Sequence, residues 1–393
     1  MKIFQINSVC GYGSTGKICT ALAAKIEKDG GESLIAYGRG VAPENISAVK
    51  INTEWGVRFH GALSRITDRQ GFYSKAATKK LIAKIKSFSP DVVHLHNLHG
   101  YYLDIDLLLS YLAESTIPCV ITLHDCWCFT GHCSHFVFAG CDKWKDGCGN
   151  CVQKGEYPKS MFADRSKRNC EQKKKLFSAF NNLTVVTPSR FLGGLAGQSF
   201  LAKHPIKVIE NGIDTTVFTP EGADKNAVFE KYSLDKNKKL ALAVSSVWTK
   251  QKGFADLGEI AARLGDGWQL CAVGVQSGQT VSGVTCLEKT DSTAELASLY
   301  RAADVFVNPT YEDTYPTVNV EAAACGTPTA TYDGSGSAES AVAFGGIAVK
   351  QGDKKALTAA VQSLCGKKTA VDTDRITADA MTEKYLDLYK SIL

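Results

Sequence analysis

Apolar and polar positions along this chain alternate between short buried runs and amphipathic stretches. Residues 2–9 read as a strand, residues 16–28 follow a helical period, and residues 33–37 predict a second strand. A basic amphipathic period over 74–88 predicts a helix, and 91–96, 119–124 and 183–187 predict further strands. Strands separated by helical periods in this way build a parallel sheet covered on both faces. The rhythm breaks at the turn signal Asn211-Gly212 and the linker-like segment 218–222, then restarts. Strands are predicted at 240–246, 269–275 and 305–308, and helices at 255–264, 293–303, 318–324 and 354–365. A last helix, 376–393, has no strand after it. The fold class read from this pattern is α/β, with two doubly wound Rossmann-like domains. They are placed at 1–205 and 206–375, with a Cys-rich insertion at 126–160 and the helix 376–393 packing back on the first domain.

Composition narrows the class. The 393 residues suit two domains of about 200 each. Hydrophobic residues at 44% and charged residues at 22% fit a globular chain. No apolar run approaches the ~18–20 residues that span a bilayer. The opening MKIFQINSV reads as a buried strand rather than a signal peptide. The expectation is a cytoplasmic protein, at most peripheral on the inner face of the membrane. A net charge of +5, with Lys and Arg spread over many helices, gives no reason to expect a nucleic-acid partner. Fourteen cysteines in such a chain are expected to stay reduced. Eight of them, among them Cys19, Cys271 and Cys325, read as small core residues, and six crowd between Cys126 and Cys151.

Between the first strand and the first helix lies Gly11-Tyr-Gly-Ser-Thr-Gly-Lys17. Backbone N–H groups of such a loop, with the helix N-terminus, suit a phosphate. Gly11, Gly13 and Gly16 fit a dinucleotide fingerprint, with Arg39 rather than an acid at the end of the second strand, which would favour NADP. A P-loop reading fails at Ile18, where magnesium binding needs Ser or Thr. A donor-diphosphate loop is the third reading, with Gly11, Gly13, Ser14 and Thr15 contacting the ligand. A tight turn that only packs helix on strand is the plainest reading. The loop alone leaves these open.

The second half carries more. Tyr311-Glu-Asp-Thr-Tyr-Pro-Thr-Val-Asn-Val-Glu321 follows a strand and opens a helix, with Asp313 and Glu321 eight positions apart. Open α/β sheets bind ligands at that edge. Carboxylates there accept bonds from sugar or ribose hydroxyls, and free N–H groups near Thr317 and Val318 suit a phosphate.

The run Leu299-Tyr-Arg-Ala-Ala-Asp-Val-Phe-Val-Asn-Pro-Thr310, continued through Glu321-Ala-Ala-Ala-Cys-Gly-Thr-Pro328, resembles glycosyltransferase family 4. Val208-Ile-Glu-Asn-Gly-Ile-Asp214 with Phe218, the pair Lys252-Gly253, and Gly334-Ser-Gly-Ser-Ala-Glu339 are similar to further segments of that family. The resemblance implies a GT-B architecture, two facing Rossmann-like domains with a cleft between them. It also implies retaining transfer from a UDP- or GDP-sugar without a metal or other required cofactor. It places Lys252 on the departing diphosphate and Asp313 on the donor sugar. Glu321 would hold the ribose, and Ser246, Tyr315, Thr317 and Val318 would line the donor site. His124 would lie near the site of reaction. Front-face attack is implied, with the leaving phosphate taking the acceptor proton. Two departures stand out: Asp313 occupies a position where the family usually has Glu, and Ser246-Val247 replaces its Gly-Arg. Asp104-Ile-Asp106 imitates a metal-binding pair but reads as helix-start acids.

In the insertion, Cys148-x2-Cys151 has metal-knuckle spacing, and Cys133 and Cys141 complete a candidate structural zinc site. Free thiols, or a disulfide in an oxidising compartment, are the alternatives. The His124-Asp-Cys-Trp stretch resembles a polysaccharide-biosynthesis subset of the family, which implies a glycan or lipid-linked acceptor of the capsule or exopolysaccharide type. Basic helical stretches at Arg165–Arg168 with Lys173–Lys175, and at Lys79, Lys80, Lys84 and Lys86, suit either an anionic membrane surface or plain solvation. An NADP oxidoreductase and a catalytically degenerate sugar-nucleotide-binding protein remain the rival functions.

Overall fold

Short, mostly buried strands build two wholly parallel sheets, seen in a computed structural model that describes residues 1–222, 225–369 and 371–393. The first sheet holds β1 (Lys2–Val9), β2 (Glu32–Arg39), β3 (Ala48–Lys50), β4 (Val92–Leu95), β5 (Cys119–Thr122), β6 (Leu183–Thr187) and β7 (Ile206–Val208). Its order is β3-β2-β1-β4-β5-β6-β7. The connections carry α1 (Gly13–Lys28), α2 (Glu54–Thr67), α3 (Lys75–Phe88), α4 (Ile105–Glu114), α5 (Ser166–Ser178) and α6 (Arg190–Ala196). The second sheet holds β8 (Lys239–Val244), β9 (Trp268–Val273), β10 (Val284–Leu287), β11 (Val305–Asn308), β12 (Thr329–Tyr332) and β13 (Ile347–Val349). Its order is β10-β9-β8-β11-β12-β13. Its helices are α7 (Lys225–Lys231), α8 (Asp256–Leu264), α9 (Thr293–Ala302), α10 (Thr317–Ala324), α11 (Gly336–Val342), α12 (Lys354–Leu364) and α13 (Thr373–Ile376), and α14 (Ala378–Ile392) closes the chain.

Two compact units result: Met1–Glu210 with Met381–Leu393, and Asn211–Ala380. The boundary lies past the expected 205/206 because the short β7 still pairs with β6 and belongs to the first sheet. The last helix does not start at Ile376. The chain breaks at Thr377, where Ile213 bridges it through Ile213 N–H to the Ile376 carbonyl at 2.8 Å and Ala378 N–H to the Ile213 carbonyl at 3.0 Å.

From Met381 onward α14 is part of the first unit's core. Met381, Tyr385, Leu386 and Tyr389 pack with Ile3, Leu22, Val120 and Val186. Two buried tyrosine hydroxyls tie the helix to the sheet. Tyr389 meets His94 Nδ1 at 2.6 Å, and Tyr385 meets Thr122 Oγ1 at 2.9 Å.

In both sheets the strand order reverses once, between β1 and β4 and between β8 and β11. Loops leaving the two strands diverge there and open a crevice at the carboxyl edge. The glycine loop follows β1, the Lys252 loop follows β8, and the Asp313 loop follows β11.

Tyr389→Phe leaves a fully buried imidazole nitrogen without its partner. It should lower unfolding stability by about 1–3 kcal/mol, read by urea titration, whereas Lys384→Ala on the same helix should leave it unchanged.

Candidate active site

The glycine loop owes each of its glycines to a different constraint. Gly11 has φ +80°, and a Cβ there would stand 2.4 Å from Pro43 Cγ. Gly16 brings α1 down on the loop, since a Cβ would lie 3.1 Å from the Gly11 nitrogen and 3.2 Å from Val9 Cγ2. Gly13 has φ +64° with nothing within 4 Å of a Cβ, so its face is open. The helix begins at Gly13, three residues earlier than expected, which puts Ser14 and Thr15 in its first turn. No side chain caps α1 and no acid lies in that turn, so its N–H groups remain available to an anion.

Three histidines stack along β4 and β5. His94 and His96 lie 3.9 Å apart, centroid to centroid, and His96 stacks on His124 at 5.5 Å and 15°. His96 Nδ1 meets His124 Nε2 at 3.2 Å. His124 stands two residues past β5, not within it, as the strand ends at Thr122. Burial pushes His124 down to about 4, His94 to about 3, and His96 well below its usual value, so all three are neutral imidazoles at pH 7. Asp125, next in sequence, accepts from His99 Nε2 at 2.7 Å and from the Trp127 N–H at 2.8 Å. Burial raises its carboxyl, but the His99 charge and these bonds prevail and hold it at about 2.

In the second unit, Lys252 and Asp313 come together at the reversal between β8 and β11. Lys252 Nζ lies 2.5 Å from Asp313 Oδ2, while Asp313 Oδ1 accepts the Tyr315 N–H at 3.2 Å. Close backbone approaches fix both loops. A Cβ at Gly253 would fall 2.0 Å from the Pro309 carbonyl oxygen, and one at Gly336 would fall 1.8 Å from that of Thr314. α10 starts at Thr317, so Thr317 and Val318 open it, with no side-chain cap and no acid in the first turn. Glu321 lies one turn further in and accepts from the Tyr300 hydroxyl at 3.2 Å. Tyr315 is 4% exposed and packs in the second unit's core, while its backbone N–H holds Asp313. Ser246 is exposed in the loop after β8.

Residues without an obvious sequence signal set this geometry. Asn308 Nδ2 donates to Asn319 Oδ1 at 2.8 Å, and Asn319 Nδ2 donates to the Ser337 carbonyl and hydroxyl at 3.0 Å and to Ser340 Oγ at 2.9 Å. Thr331 Oγ1 donates to the Asn308 carbonyl at 2.7 Å. This buried network locks the starts of α10 and α11 to the ends of β11 and β12. Only polar side chains at positions the strand and helix patterns would fill with apolar ones hint at it.

The expected cysteine quartet is not assembled. The Cys133 thiol meets Cys151, and the Cys148 thiol meets Cys170 of α5, a residue read from sequence as plain core. Cys141 joins neither pair, and among the described residues no three His, Cys, Asp or Glu side chains gather into a metal-binding group. What holds the insertion is Lys173, which is not on a solvated basic face. It is 1% exposed, donates to the Trp127 and Thr130 carbonyls at 2.7 and 3.1 Å, and lies over the Trp127 ring at 3.3 Å. Asp104 caps α4 by accepting the Leu107 N–H at 3.1 Å, a helix-start acid.

Comparison with known proteins identifies the class. The profile described as Glycosyltransferase Family 4 matches residues 16–217, and the one described as Glycosyl transferases group 1 matches residues 238–367. The chain belongs to glycosyltransferase family 4. This glycosyltransferase is 25% identical over 415 residues, covering 100% of both chains, to a protein of Escherichia coli K12 assigned as a colanic acid biosynthesis glycosyl transferase, WcaC. It is 28% identical to D-inositol 3-phosphate glycosyltransferase of Mycobacteroides abscessus over 165 residues, 38% of this chain and 34% of that one. Among solved structures, sucrose-phosphate synthase from Thermosynechococcus elongatus superposes with a TM-score of 0.71 at 16% identity, over 100% and 99% of the two chains. Anabaena HepE in complex with UDP-glucose gives 0.66 at 14%, over 100% of both. These likenesses show the GT-B fold of two Rossmann-like domains. An oxidoreductase reading of the glycine loop gives way to the family.

The depressed histidines set the acid stability of the glycosyltransferase. Each stays neutral when folded but titrates near 6.5 when unfolded, so the stability it contributes is complete above that pH. It is lost as pH falls toward the folded value, at about 1.4 kcal/mol per pH unit per histidine. Urea unfolding at pH 9, 8 and 5 should show stability constant between the first two and falling at the third. A value unchanged at pH 5 would mean the imidazoles accept protons in the fold.

Proposed function

We propose that the glycosyltransferase moves a sugar from a nucleotide-diphosphate donor onto a glycan acceptor, with retention of configuration and without a metal ion. The observation that carries this is the Lys252–Asp313 pair, 2.5 Å apart beside the uncapped start of α10. Charge develops on the departing diphosphate in the transition state. A fixed ammonium and N–H groups already aimed at that position stabilise it without reorganisation, which is the work a metal performs elsewhere. Lys252 is the point charge, Thr317 and Val318 supply N–H groups, and Asp313 holds Lys252 and accepts from the donor sugar. Glu321, steadied by Tyr300, accepts from the ribose. In the amino-terminal unit, the Gly11–Thr15 loop offers N–H groups to an anion, and neutral His124 offers one hydrogen bond to a sugar hydroxyl.

Among these groups there is no side chain assigned to attack the anomeric carbon. Retention then follows from attack on the face the diphosphate leaves, with its oxygen taking the acceptor hydroxyl proton. Positioning and charge supply the catalysis. The full-length likeness to WcaC supports a polysaccharide acceptor, lipid-linked in the proposal, and the UDP-glucose complex of HepE supports a nucleotide-sugar donor.

Thermal shifts with UDP, GDP, their sugars and NADP test the donor. A diphosphonucleoside should raise the melting temperature of the parent by mass action and not that of Glu321→Ala. Stabilisation by NADP alone would sink the reading, and donor binding without turnover on any acceptor would leave a sugar-nucleotide-binding protein. Lys252→Ala should cut transfer about 10²–10³-fold with the fold intact, transfer should survive EDTA, and proton NMR of the product should show the donor's anomeric configuration.

A further inference from the structure

By ordinary amphipathic logic α2 faces the wrong way. Its buried positions are Val57, His60, Gly61 and Ser64, two of them polar and one without a side chain. Its outward positions include Trp55 at 77% exposure, Phe59 at 66% and Ile66 at 52%. Positions 55, 58, 59, 62, 65 and 66 recur at three- and four-residue intervals, which places them in one stripe. A helix that meets only water carries the opposite distribution.

The stripe continues past the helix. Met161 N–H donates to the Arg65 carbonyl at 2.7 Å and Ala163 N–H to the Ile66 carbonyl at 3.4 Å. These bonds lay the exposed Met161 and Phe162 of the insertion against the end of α2. Single exposed apolar side chains are ordinary, but five large ones on a connected surface mark a contact face.

Charge says what the face meets. Arg58 and Arg65 are exposed within the stripe, Arg58 with its guanidinium 5.3 Å from the Trp55 ring centre. The one acid in the helix, Glu54, is held by Lys50 at 2.5 Å. Lys159 and Arg165 are exposed on the adjoining insertion, alongside Glu156 and Asp164. A second copy docked face to face would set arginines against arginines, and the acid nearest Phe162 in the chain, Asp164, is already engaged by the Cys151 N–H at 2.6 Å and the Ser166 N–H at 2.9 Å. An anionic lipid leaflet answers both features at once, since apolar side chains enter the boundary between headgroups and acyl chains while arginines reach the phosphates. The Lys-rich outer face of α3 has the charge but no comparable exposed apolar residues.

We propose that the outer face of α2, with Met161 and Phe162, is the surface by which this glycosyltransferase docks on an anionic membrane. The inference deepens the reading of a lipid-linked acceptor and rests on it for purpose, though its test needs neither donor nor acceptor. The full-length protein is sedimented with vesicles of phosphatidylcholine, with and without phosphatidylglycerol. Sedimentation with the phosphatidylglycerol vesicles is expected, and much less with phosphatidylcholine alone. Trp55→Ser with Phe59→Ser should weaken binding about tenfold or more through lost apolar burial. Arg58→Gln with Arg65→Gln should weaken it about tenfold on the anionic vesicles alone. Lys79→Gln with Lys80→Gln and Lys84→Gln should change it less than about twofold, because those residues lie outside the stripe. Both stripe variants should keep the parent's melting temperature and its shift with nucleotide, which separates failure here from failure of the transferase reading. Parent protein that stays in the supernatant with anionic vesicles overturns the proposal, and so does undiminished binding by the Trp55/Phe59 variant. A concentration-dependent dimer by light scattering that this variant abolishes would assign the face to a second copy instead.

Discussion

Every strand in both sheets runs the same way, and the rest of the molecule follows from that constraint. A parallel strand can be joined to its neighbour only by a crossover, so each strand's carboxyl end opens into a loop and each loop lands on the same edge. Where the order reverses, at β1/β4 and β8/β11, adjacent loops turn away from each other and leave room. The uncapped start of α1 and the Lys252–Asp313 pair occupy these two reversals. Unsatisfied N–H groups and a cation are thus concentrated where the topology makes space for an anion.

Space is not geometry, and the geometry comes from buried polar groups with full sets of partners. Asn319 spends both amide hydrogens and its carbonyl on Asn308, Ser337 and Ser340, and so fixes two helix starts to two strand ends. Lys173 does the same for the insertion with two carbonyls and an indole face. His94 is held at both ring nitrogens, by Tyr389 and Thr122. Such groups are costly when half-satisfied and rigid when complete, which suits loops that must hold charge in place.

What could be read from sequence was local. The stretch from β11 through Asp313 to Glu321 is contiguous, so its strand, loop and helix start were legible in order. The glycine loop was legible as a phosphate-type turn, but its helix starts at Gly13, ahead of the apolar period that signals it. Contacts across long sequence separations were not legible: Asn319 with Ser337, or Cys148 with Cys170 in place of Cys141. β12 was missed because its Thr-Ala-Thr-Tyr looks polar, although all four residues are buried and Thr331 serves the network. α2 was missed because its apolar residues lie on the outside.

The return of α14 to the first unit has a consequence for biosynthesis. Residues 381–393 leave the ribosome only after the whole second unit has been made. Until then Ile3, Leu22, Val120 and Val186 lack the helix that covers them in the finished protein, and His94 lacks Tyr389. The first unit therefore cannot close vectorially as it emerges. It must wait with an apolar flank open to chaperones while its neighbour folds, and full-length synthesis itself becomes the checkpoint for a finished amino-terminal half.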